Sequence, residues 1–438
     1  MAFTRRKFLS GAAAGIGFPT IIPSSVLGKG GATAPSEKVV MAFIGMGNRG
    51  IGVMDAFINH TDLQGVAICD VHEHHYRERE WGEGRALGRK PGKEAVDKKY
   101  GNTDCRAYSD FRELLGRDDL DAVMVSTPDH WHSKITLAAL DKGLDVYCEK
   151  PVTHLFAEGQ QVYRKVAEKD AVFQVGSQQR SEPIFRQAVE IVRNGHLGKI
   201  SHFEVGLPAG HSEAQGSTDV IEVPEGLDYN MWCGPAAKLP YMKARHHRWW
   251  RWHSAFGGGN LMDWIGHHND IAHWGMGYEK TGPVKLESKG WTWAETEAYD
   301  TMVDYEVHSE YPDGRKGIIS SKFKKGTKWI GENGWVWVDR GKIEASNPEW
   351  LAKDFQPGDW KAYRSPGHQR NFIDCVKAHR TGTSAPAENG HRSITPGHLG
   401  WISAKVGRAL KWDPVAEKIE GDDAAQEMLM KLDYRDWA

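Results

Sequence analysis

Three glycines spaced as GxGxxG supply the clearest chemical signal in the chain. They lie in the segment Gly45-Met46-Gly47-Asn48-Arg49-Gly50, between the continuous apolar run 39–44 and a helical pattern. In such a segment the glycines allow a tight turn, let a pyrophosphate approach the backbone, and let strand and helix pack closely. Asp70 ends the next apolar run, 25 residues after Gly45. A carboxylate there reads two ribose hydroxyls and repels a 2′-phosphate, so the spacing predicts NAD rather than NADP.

A second group of residues has the types needed for proton transfer. Asp263 and His267 are four residues apart, so a helix would place both on one face. A carboxylate beside an imidazole fixes the ring and keeps its pKa near neutrality. Lys150, which follows the apolar run 144–148, is placed to hydrogen-bond a reacting hydroxyl and stabilise a developing alkoxide. These groups would remove a proton from a carbinol while hydride leaves for the cofactor.

Histidine clusters raise the question of a metal site. His72, His74 and His75 are close in sequence, but the polar segment 72–100 is typical of a long surface helix with a loop, which favours a solvated face. His267, His268 and His273 have spacings that do not share one helical face, and no cysteine pair has CxxC spacing. The sequence therefore predicts no metal site. Five scattered cysteines also exclude a disulfide framework.

The elements that must position these residues follow an α/β pattern. Buried apolar runs at 39–44, 63–69, 121–126 and 144–148 alternate with helical patterns, which predicts a doubly wound parallel sheet over residues 35–176. Ligands of such sheets bind beyond the carboxyl ends of the strands, where Gly45, Asp70, Thr127 and Lys150 all fall. Further strands are predicted at 201–207, 284–294, 301–311, 315–324 and 327–338.

The irregular stretch 208–256 separates the first of these later strands from the Asp263 helix. It is dense in aromatic, histidine and arginine residues, and a long loop inside a compact domain is usually functional. Aromatic rings cover the apolar faces of sugars while polar groups read hydroxyls. The stretch therefore favours a carbohydrate substrate, with filling of a core or an oligomer interface as the alternative for any single tryptophan.

The amino terminus has the features of a targeting segment. Twin arginines, Arg5 and Arg6, precede Phe8-Leu9, a short run of small and apolar residues, and a Pro/Ser-rich stretch. This pattern resembles a twin-arginine (Tat) signal, so residues 1–34 are predicted to be a signal peptide and linker. The expected location is the periplasm or another exported compartment, reached through the Tat machinery. No other stretch approaches the length of a membrane span.

The motifs also resemble a known family. The strand followed by GxGxxG, the sequence TPDHWH at 127–132, EKP at 149–151 and the segment 257–270 are similar to Gfo/Idh/MocA oxidoreductases. The resemblance implies a Rossmann domain followed by an α/β domain, residues 177–438, with a large, mainly antiparallel open sheet. It implies a substrate site between the domains, and a homodimer or homotetramer formed through the exposed sheet face. It also implies that Lys150, Asp263 and His267 are catalytic, with His267 as the general base.

The predicted site has a cofactor part and a substrate part. The residues predicted to bind NAD are Gly45, Gly47, Asn48, Arg49, Gly50, Asp70, Ser126, Thr127, Pro128, His130, His132, Glu149, Lys150 and Gln178. The residues predicted to bind substrate are Lys150, Arg180, Trp252, Asp263 and His267.

Three functions are compatible with these residues. The first is an NAD-dependent oxidoreductase acting on a sugar, glycoside or cyclitol, with a cofactor that an exported protein can carry inside its fold. The second is a glycosidase that uses transient oxidation by bound NAD followed by elimination. The third is a non-catalytic sugar- or nucleotide-binding protein. The net charge of −2 argues against nucleic acid as a partner.

Overall fold

The computed structural model describes residues 34–78 and 82–437. The predicted Tat signal, residues 1–34, lies outside this part of the chain except for its last residue. Within the described ranges no helix combines the length and the apolar content that crossing a bilayer requires.

The first half of the chain forms a parallel sheet of six strands in the order β5-β2-β1-β6-β7-β8. The central strand is buried along its whole length, because helices cover both faces of a doubly wound sheet. The strand bounds are β1 Val39–Ile44, β2 Leu63–Cys69, β5 Arg106–Tyr108, β6 Ala122–Val125, β7 Asp145–Cys148 and β8 Phe173–Val175. The predicted doubly wound parallel sheet is confirmed.

Helices alternate with these strands. They are α1 Asn48–Ile58, α2 Arg89–Tyr100, α3 Phe111–Leu114, α4 Asp129–Asp141, α5 Phe156–Lys169 and α6 Pro183–Arg193. The predicted long helix after His72 is wrong in its first half. There the chain forms a short antiparallel pair, β3 His75–Tyr76 with β4 Ala86–Leu87, before α2 begins at Arg89.

The second sheet has nine strands in the order β15-β14-β13-β9-β12-β11-β10-β16-β17. Only β9 and β12 pair in parallel, so the prediction of a mainly antiparallel sheet is confirmed. The predicted strand 327–338 is two strands joined at the Asn333-Gly334 turn. The bounds are β9 Ile200–Gly206, β10 Lys285–Lys289, β11 Glu306–Glu310, β12 Lys316–Ser320, β13 Gly326–Gly331, β14 Gly334–Asp339, β15 Lys342–Ala345, β16 Leu410–Asp413 and β17 Lys418–Glu420.

Five further helices accompany this sheet: α7 Tyr229–Cys233, α8 Gly259–Met276, α9 His368–Ala378, α10 Ala387–Val406 and α11 Asp423–Met430. Helix α9 packs against the first half of the molecule. Its Phe372 packs edge-on against Phe57 and Tyr147, at ring distances of 5.9 Å for both, so it covers the first sheet. The chain therefore returns to the nucleotide half after building the second sheet.

Candidate active site

A cleft of about 1170 Å³ runs along the carboxyl ends of the parallel strands. Its walls come from the turns after β1, β2, β6 and β7, from the aromatic-rich stretch 208–256, and from the start of α8. Twelve of the predicted cofactor residues line it: Gly45, Gly47, Asn48, Arg49, Asp70, Ser126, Thr127, Pro128, His132, Glu149, Lys150 and Gln178. The substrate residues Trp252, Asp263 and His267 line the same cleft.

The glycine turn leaves room for a phosphate group. Gly45 has φ +89°, and a Cβ there would meet the Ser126 backbone at 2.6 Å. A Cβ on Gly50 would lie 1.8 Å from the Gly45 carbonyl oxygen, so this glycine serves the packing of α1 on β1. A Cβ on Gly47 would meet nothing within 4 Å. The space in front of Gly47 and the amino terminus of α1 therefore fits the pyrophosphate of a dinucleotide.

Asp70 lies where a ribose-binding carboxylate is expected. One carboxylate oxygen accepts from the Met46 N–H at 2.6 Å and the other from the His72 N–H at 2.8 Å. These bonds hold the carboxylate beside the glycine turn. Burial raises the pKa of Asp70, and the two backbone donors oppose that rise. The side chain keeps lone pairs for ribose hydroxyls, which fits NAD.

Lys150 and Asp263 meet across the cleft. The Lys150 Nζ donates to the Asp263 carboxylate and to the Asp263 backbone carbonyl, each at 2.8 Å. Arg251 donates from Nε to the same carboxylate oxygen at 3.0 Å. Burial would raise the pKa of Asp263, but the two cations hold it well below its usual range. Asp263 is therefore an anion that fixes Lys150 and Arg251 rather than a proton donor.

The expected hydrogen bond between Asp263 and His267 is not formed. The side-chain bonds of Asp263 run to Lys150 and Arg251, and His267 Nδ1 is buried with no hydrogen-bond partner among the described residues. Burial, aided by the positive charges of Lys150 and Arg340, holds the pKa of His267 well below its usual range. The near-neutral pKa expected for His267 is thus corrected: the ring is neutral, the state in which it accepts a proton.

Asp129 is a cleft residue that the sequence reasoning missed. It opens α4 within TPDHWH and is buried, yet it lines the cleft. Burial raises its pKa to about 8, with Arg251 opposing the rise and Asp263 adding to it. Asp129 is therefore a protonated acid at neutral pH. Its neighbours Asp263 and Arg251 lie more than a hundred residues away in the chain, so only the fold reveals them.

Glu149 and Gln178 form a second polar group near the glycine turn. Glu149 accepts from Arg49 at 3.1 Å and from the Gln178 amide at 3.0 Å. Burial would raise the pKa of Glu149, but Arg49 and Lys150 lower it overall. The carboxylate therefore fixes the Arg49 guanidinium, which borders the space in front of Gly47.

Two predicted contact residues lie elsewhere. Arg180, predicted to bind substrate, is 4% exposed and donates to Asp270 at 2.6 and 2.9 Å and to Glu279 at 2.7 Å. His130, predicted to bind cofactor, is buried, and its ring nitrogens face the Trp232 and Phe256 carbonyls at 2.9 and 3.4 Å. Neither side chain borders the cleft among the described residues. Both join segments of the scaffold instead.

His132 has a positioning part as well. Its ring nitrogens lie 2.7 Å from the Pro151 carbonyl and 3.0 Å from the Thr127 carbonyl. The residue thereby ties the turn after β6 to the turn that carries Lys150.

The irregular stretch contributes both aromatic and charged groups to the cleft. Trp232, Trp250 and Trp252 line it, and the Arg251 guanidinium stacks on the Trp250 ring at 4.3 Å. Trp252 is buried, and its indole nitrogen has no hydrogen-bond partner among the described residues. Arg251 was visible in the sequence as part of a Trp- and His-rich run. Its contact with Asp263 was not.

A Rossmann domain, with a polar cluster in the cleft between its strand ends and a second, sheet-based domain, defines a nicotinamide-dependent oxidoreductase. Two family models match the chain: "Oxidoreductase family, NAD-binding Rossmann fold" over residues 39–177 and "Oxidoreductase family, C-terminal alpha/beta domain" over residues 190–438. The chain belongs to the Gfo/Idh/MocA oxidoreductase family.

Curated relatives match part of the chain. A "Glycosyl hydrolase family 109 protein" of Stenotrophomonas maltophilia is 27% identical over 47% of this chain and 42% of its own. An "Alpha-N-acetylgalactosaminidase" of Shewanella oneidensis is 29% identical over 42% of this chain and 38% of its own. A "Levoglucosan dehydrogenase" of Pseudarthrobacter phenanthrenivorans is 32% identical over 22% and 24%. The matches thus span less than half the length of these relatives.

Solved structures match over nearly the whole fold. The WlbA dehydrogenase from Bordetella pertussis, in complex with NADH and UDP-GlcNAcA, gives a TM-score of 0.60 at 17% identity, covering 86% of this chain and 99% of that one. The aldose-aldose oxidoreductase from Caulobacter crescentus gives 0.58 at 17% identity, covering 85% and 99%. At such identities the likeness establishes the fold.

Proposed function

We propose that this protein transfers hydride between NAD and a carbinol of a sugar, glycoside or cyclitol. The observation that carries the proposal is the Lys150–Asp263–Arg251 cluster with a neutral His267, at the carboxyl edge of the sheet that carries the glycine turn. Bound NAD supplies the hydride acceptor, and the residues of the chain position the substrate and move its proton.

Each polar group has a distinct part in this reaction. The neutral imidazole of His267 accepts the hydroxyl proton as the C–H bond breaks. Lys150 Nζ, held by Asp263 at 2.8 Å, donates a hydrogen bond to the same oxygen and stabilises its developing charge. Arg251 keeps Asp263 ionised and oriented. In the reverse direction His267 returns the proton to the carbonyl oxygen.

A carbohydrate suits the walls of the cleft. Five tryptophans border it, together with Arg251 and His211, which combines apolar rings with hydrogen-bonding groups as sugar faces and hydroxyls require. The names of two relatives point to the same substrate class.

The test is cofactor absorbance of NAD-loaded protein mixed with a panel of sugars, cyclitols and glycosides, with products analysed from the same wells. We expect lasting NADH with a ketone or lactone, lost in Lys150→Met and His267→Ala. Lys165→Met is the matched control, because this lysine pairs with Asp141 on the surface at 3.2 Å. The proposed roles would be contradicted if the two site variants formed as much NADH as the unchanged protein.

A second candidate function is redox-assisted glycoside cleavage. The glycosidase names among the relatives favour it, as does Asp129 in the wall of the cleft, because a pKa raised by burial to about 8 lets this side chain donate a proton. Transient oxidation of the sugar acidifies a neighbouring C–H, elimination expels the aglycone, and water addition with reduction completes hydrolysis. Release of aglycone without lasting NADH in the same wells would select this function over net oxidation.

Export and assembly are also proposed. The twin-arginine segment supports export to the periplasm through the Tat pathway. The test is a fusion of residues 1–34 to a reporter, and we expect the double change Arg5→Lys and Arg6→Lys to abolish its export.

The exposed face of the nine-stranded sheet supports a homodimer or homotetramer, and light scattering of the purified protein would measure the number of subunits.

A further inference from the structure

Three histidines outside the proton-transfer cluster meet at the nucleotide end of the cleft. A ring nitrogen from each of His72, His75 and His247 lies within 4.8 Å of the others. The rings are nearly parallel, with centroid distances of 4.6 Å for His72–His75, 5.6 Å for His72–His247 and 3.9 Å for His75–His247. The solvated face predicted for His72, His74 and His75 is wrong, since His72 is 5% exposed and the other two are half-buried.

Two ring nitrogens of this triad lack partners. Nδ1 of His72 and Nδ1 of His75 are buried and make no hydrogen bond among the described residues. Buried polar atoms are nearly always paired, so such orphans indicate a missing ion or water. An imidazole nitrogen that makes no hydrogen bond is free to coordinate a metal ion.

The backbone holds the three rings in place from two directions. His72 forms an antiparallel bridge with Leu227, and His75 pairs with Leu87 in the short β3–β4 pair. His247 adopts φ +47°, a left-handed conformation that is rare for a residue with a side chain. Such strain persists only where the surroundings impose it and is often found at functional sites. Here it accompanies the stacking of the His247 ring on His75.

We propose that His72, His75 and His247 together bind one divalent transition-metal ion. Imidazole nitrogens suit Zn²⁺, and three protein ligands leave a fourth position for water. A tetrahedral Zn²⁺ with bonds of about 2.0–2.1 Å needs ligand nitrogens about 3.4 Å apart. The three nitrogens lie within 4.8 Å of one another, so binding would require the stacked rings to turn until a nitrogen of each points at the ion.

The ion would join two parts of the cleft. His72 and His75 follow Asp70 by two and five residues, and His247 precedes Arg251 by four. A metal shared by them would fasten the loop that orients Asp263 to the segment that binds the cofactor ribose. Arg77 and Arg89 add positive charge near the triad, so we expect a reversible site that a chelator empties rather than a permanently filled one.

The test uses the full-length untagged protein without substrate, so it is independent of the proposed reaction. Protein stripped with EDTA is dialysed against buffered Zn²⁺, and bound zinc is measured by mass spectrometry. We expect about one Zn²⁺ per chain. Replacing Zn²⁺ by Co²⁺ should produce visible absorption bands that report nitrogen ligands.

Three single variants locate the site. His75→Ala and His247→Gly should each weaken Zn²⁺ binding about 100-fold or more, and glycine at 247 accommodates the positive φ, so that chain is expected to fold. His74→Ala is the matched control, because this neighbouring histidine is not in the triad. Circular dichroism without metal verifies folding of each. Absence of stoichiometric Zn²⁺ in the unchanged protein would overturn the proposal. Unchanged Zn²⁺ binding in both His75→Ala and His247→Gly would also overturn it.

Discussion

Lys150 donates two hydrogen bonds of 2.8 Å to a single residue, one to the carboxylate of Asp263 and one to its backbone carbonyl. Lys150 follows β7 of the first sheet, whereas Asp263 lies in the first turns of α8, which packs under the second sheet. The pair therefore joins the two halves of the molecule at the point where cofactor and substrate must meet. Its geometry depends on the relative position of those halves, and on Arg251, which shares the same carboxylate oxygen.

Replacing Arg251 tests whether it positions this pair. In Arg251→Met, Asp263 keeps Lys150 but loses its second donor, so we expect kcat to fall about 10- to 100-fold while the Kd for NAD changes little. Steady-state kinetics and a fluorescence titration of NAD measure the two quantities. Arg193→Met is the control, since this arginine stacks on Trp360 at 4.6 Å outside the cleft. A loss of NAD affinity equal to the loss of kcat would argue against a positioning role.

Asp129 gives a prediction about pH and stability. Its folded pKa is raised to about 8, above the unfolded value of about 3.9. Its favourable contribution is therefore complete below pH 4 and is lost as the pH rises towards 8. Asp129→Asn, which cannot ionise, should be more stable than the unchanged protein at pH 8 by about 2–4 kcal/mol and equal to it near pH 4. Urea denaturation at the two pH values measures this difference.

The exposed carboxyl of Asp118 supplies the control for that experiment. In Asp118→Asn the free energy of unfolding should follow the pH dependence of the unchanged protein. A stability gain at pH 8 that is equal in both variants would assign the effect to net charge rather than to burial of Asp129.

Alanine substitutions at the glycines of the first turn should distinguish effects on stability from effects on NAD binding. Gly50→Ala should destabilise the protein by more than about 3 kcal/mol, because the new methyl group meets the Gly45 carbonyl. Gly47→Ala should leave stability nearly unchanged and weaken NAD binding about tenfold or more, since its methyl group fills the space meant for phosphate. Gly52→Ala, exposed and unobstructed in α1, should stabilise by about 0.5–1 kcal/mol. Thermal denaturation and NAD titration read out the series.

Arg180 should matter for stability rather than for substrate binding. In Arg180→Met the buried carboxylate of Asp270 loses its partner at 2.6 Å, which should cost about 3–5 kcal/mol. Arg315→Met, which breaks the half-exposed pair with Asp313, should cost no more than about 1 kcal/mol. Denaturant unfolding compares the two. If Arg180→Met retained stability and raised KM selectively, the original substrate role would be restored.

Features encoded in short stretches of sequence were predicted well. The run 39–44 indicates a central strand because it is apolar on both faces. The GxGxxG segment indicates the turn because its three glycines allow the tight bend, the approach of a pyrophosphate and the close packing of strand and helix. The helix predicted to carry both Asp263 and His267 is observed as α8. Each of these depends on residues within about fifteen positions of one another.

Residues joined by long-range contacts were predicted less well. Arg180 follows β8 closely, so its place in the sequence pointed to the cleft, but its side chain turns towards Asp270 of α8. Asp263 and His267 do share a helix, yet two cations from other segments engage the carboxylate. The segment after His72 reads as a helix locally, whereas its backbone pairs with residues 86–87 and 226–228.

The sequence by itself determined the central strands of the parallel sheet, several strands of the second sheet, the nucleotide-binding turn and most of the predicted residues on the cofactor side of the cleft. These follow from hydrophobic periodicity and from glycine geometry, which act over a few residues. Tertiary structure alone decided which polar groups meet: Arg251 with Asp263, Arg180 with Asp270, and His247 with His72 and His75. These contacts also set the protonation states, because a pKa depends on burial and on neighbouring charges that can be far away in the sequence.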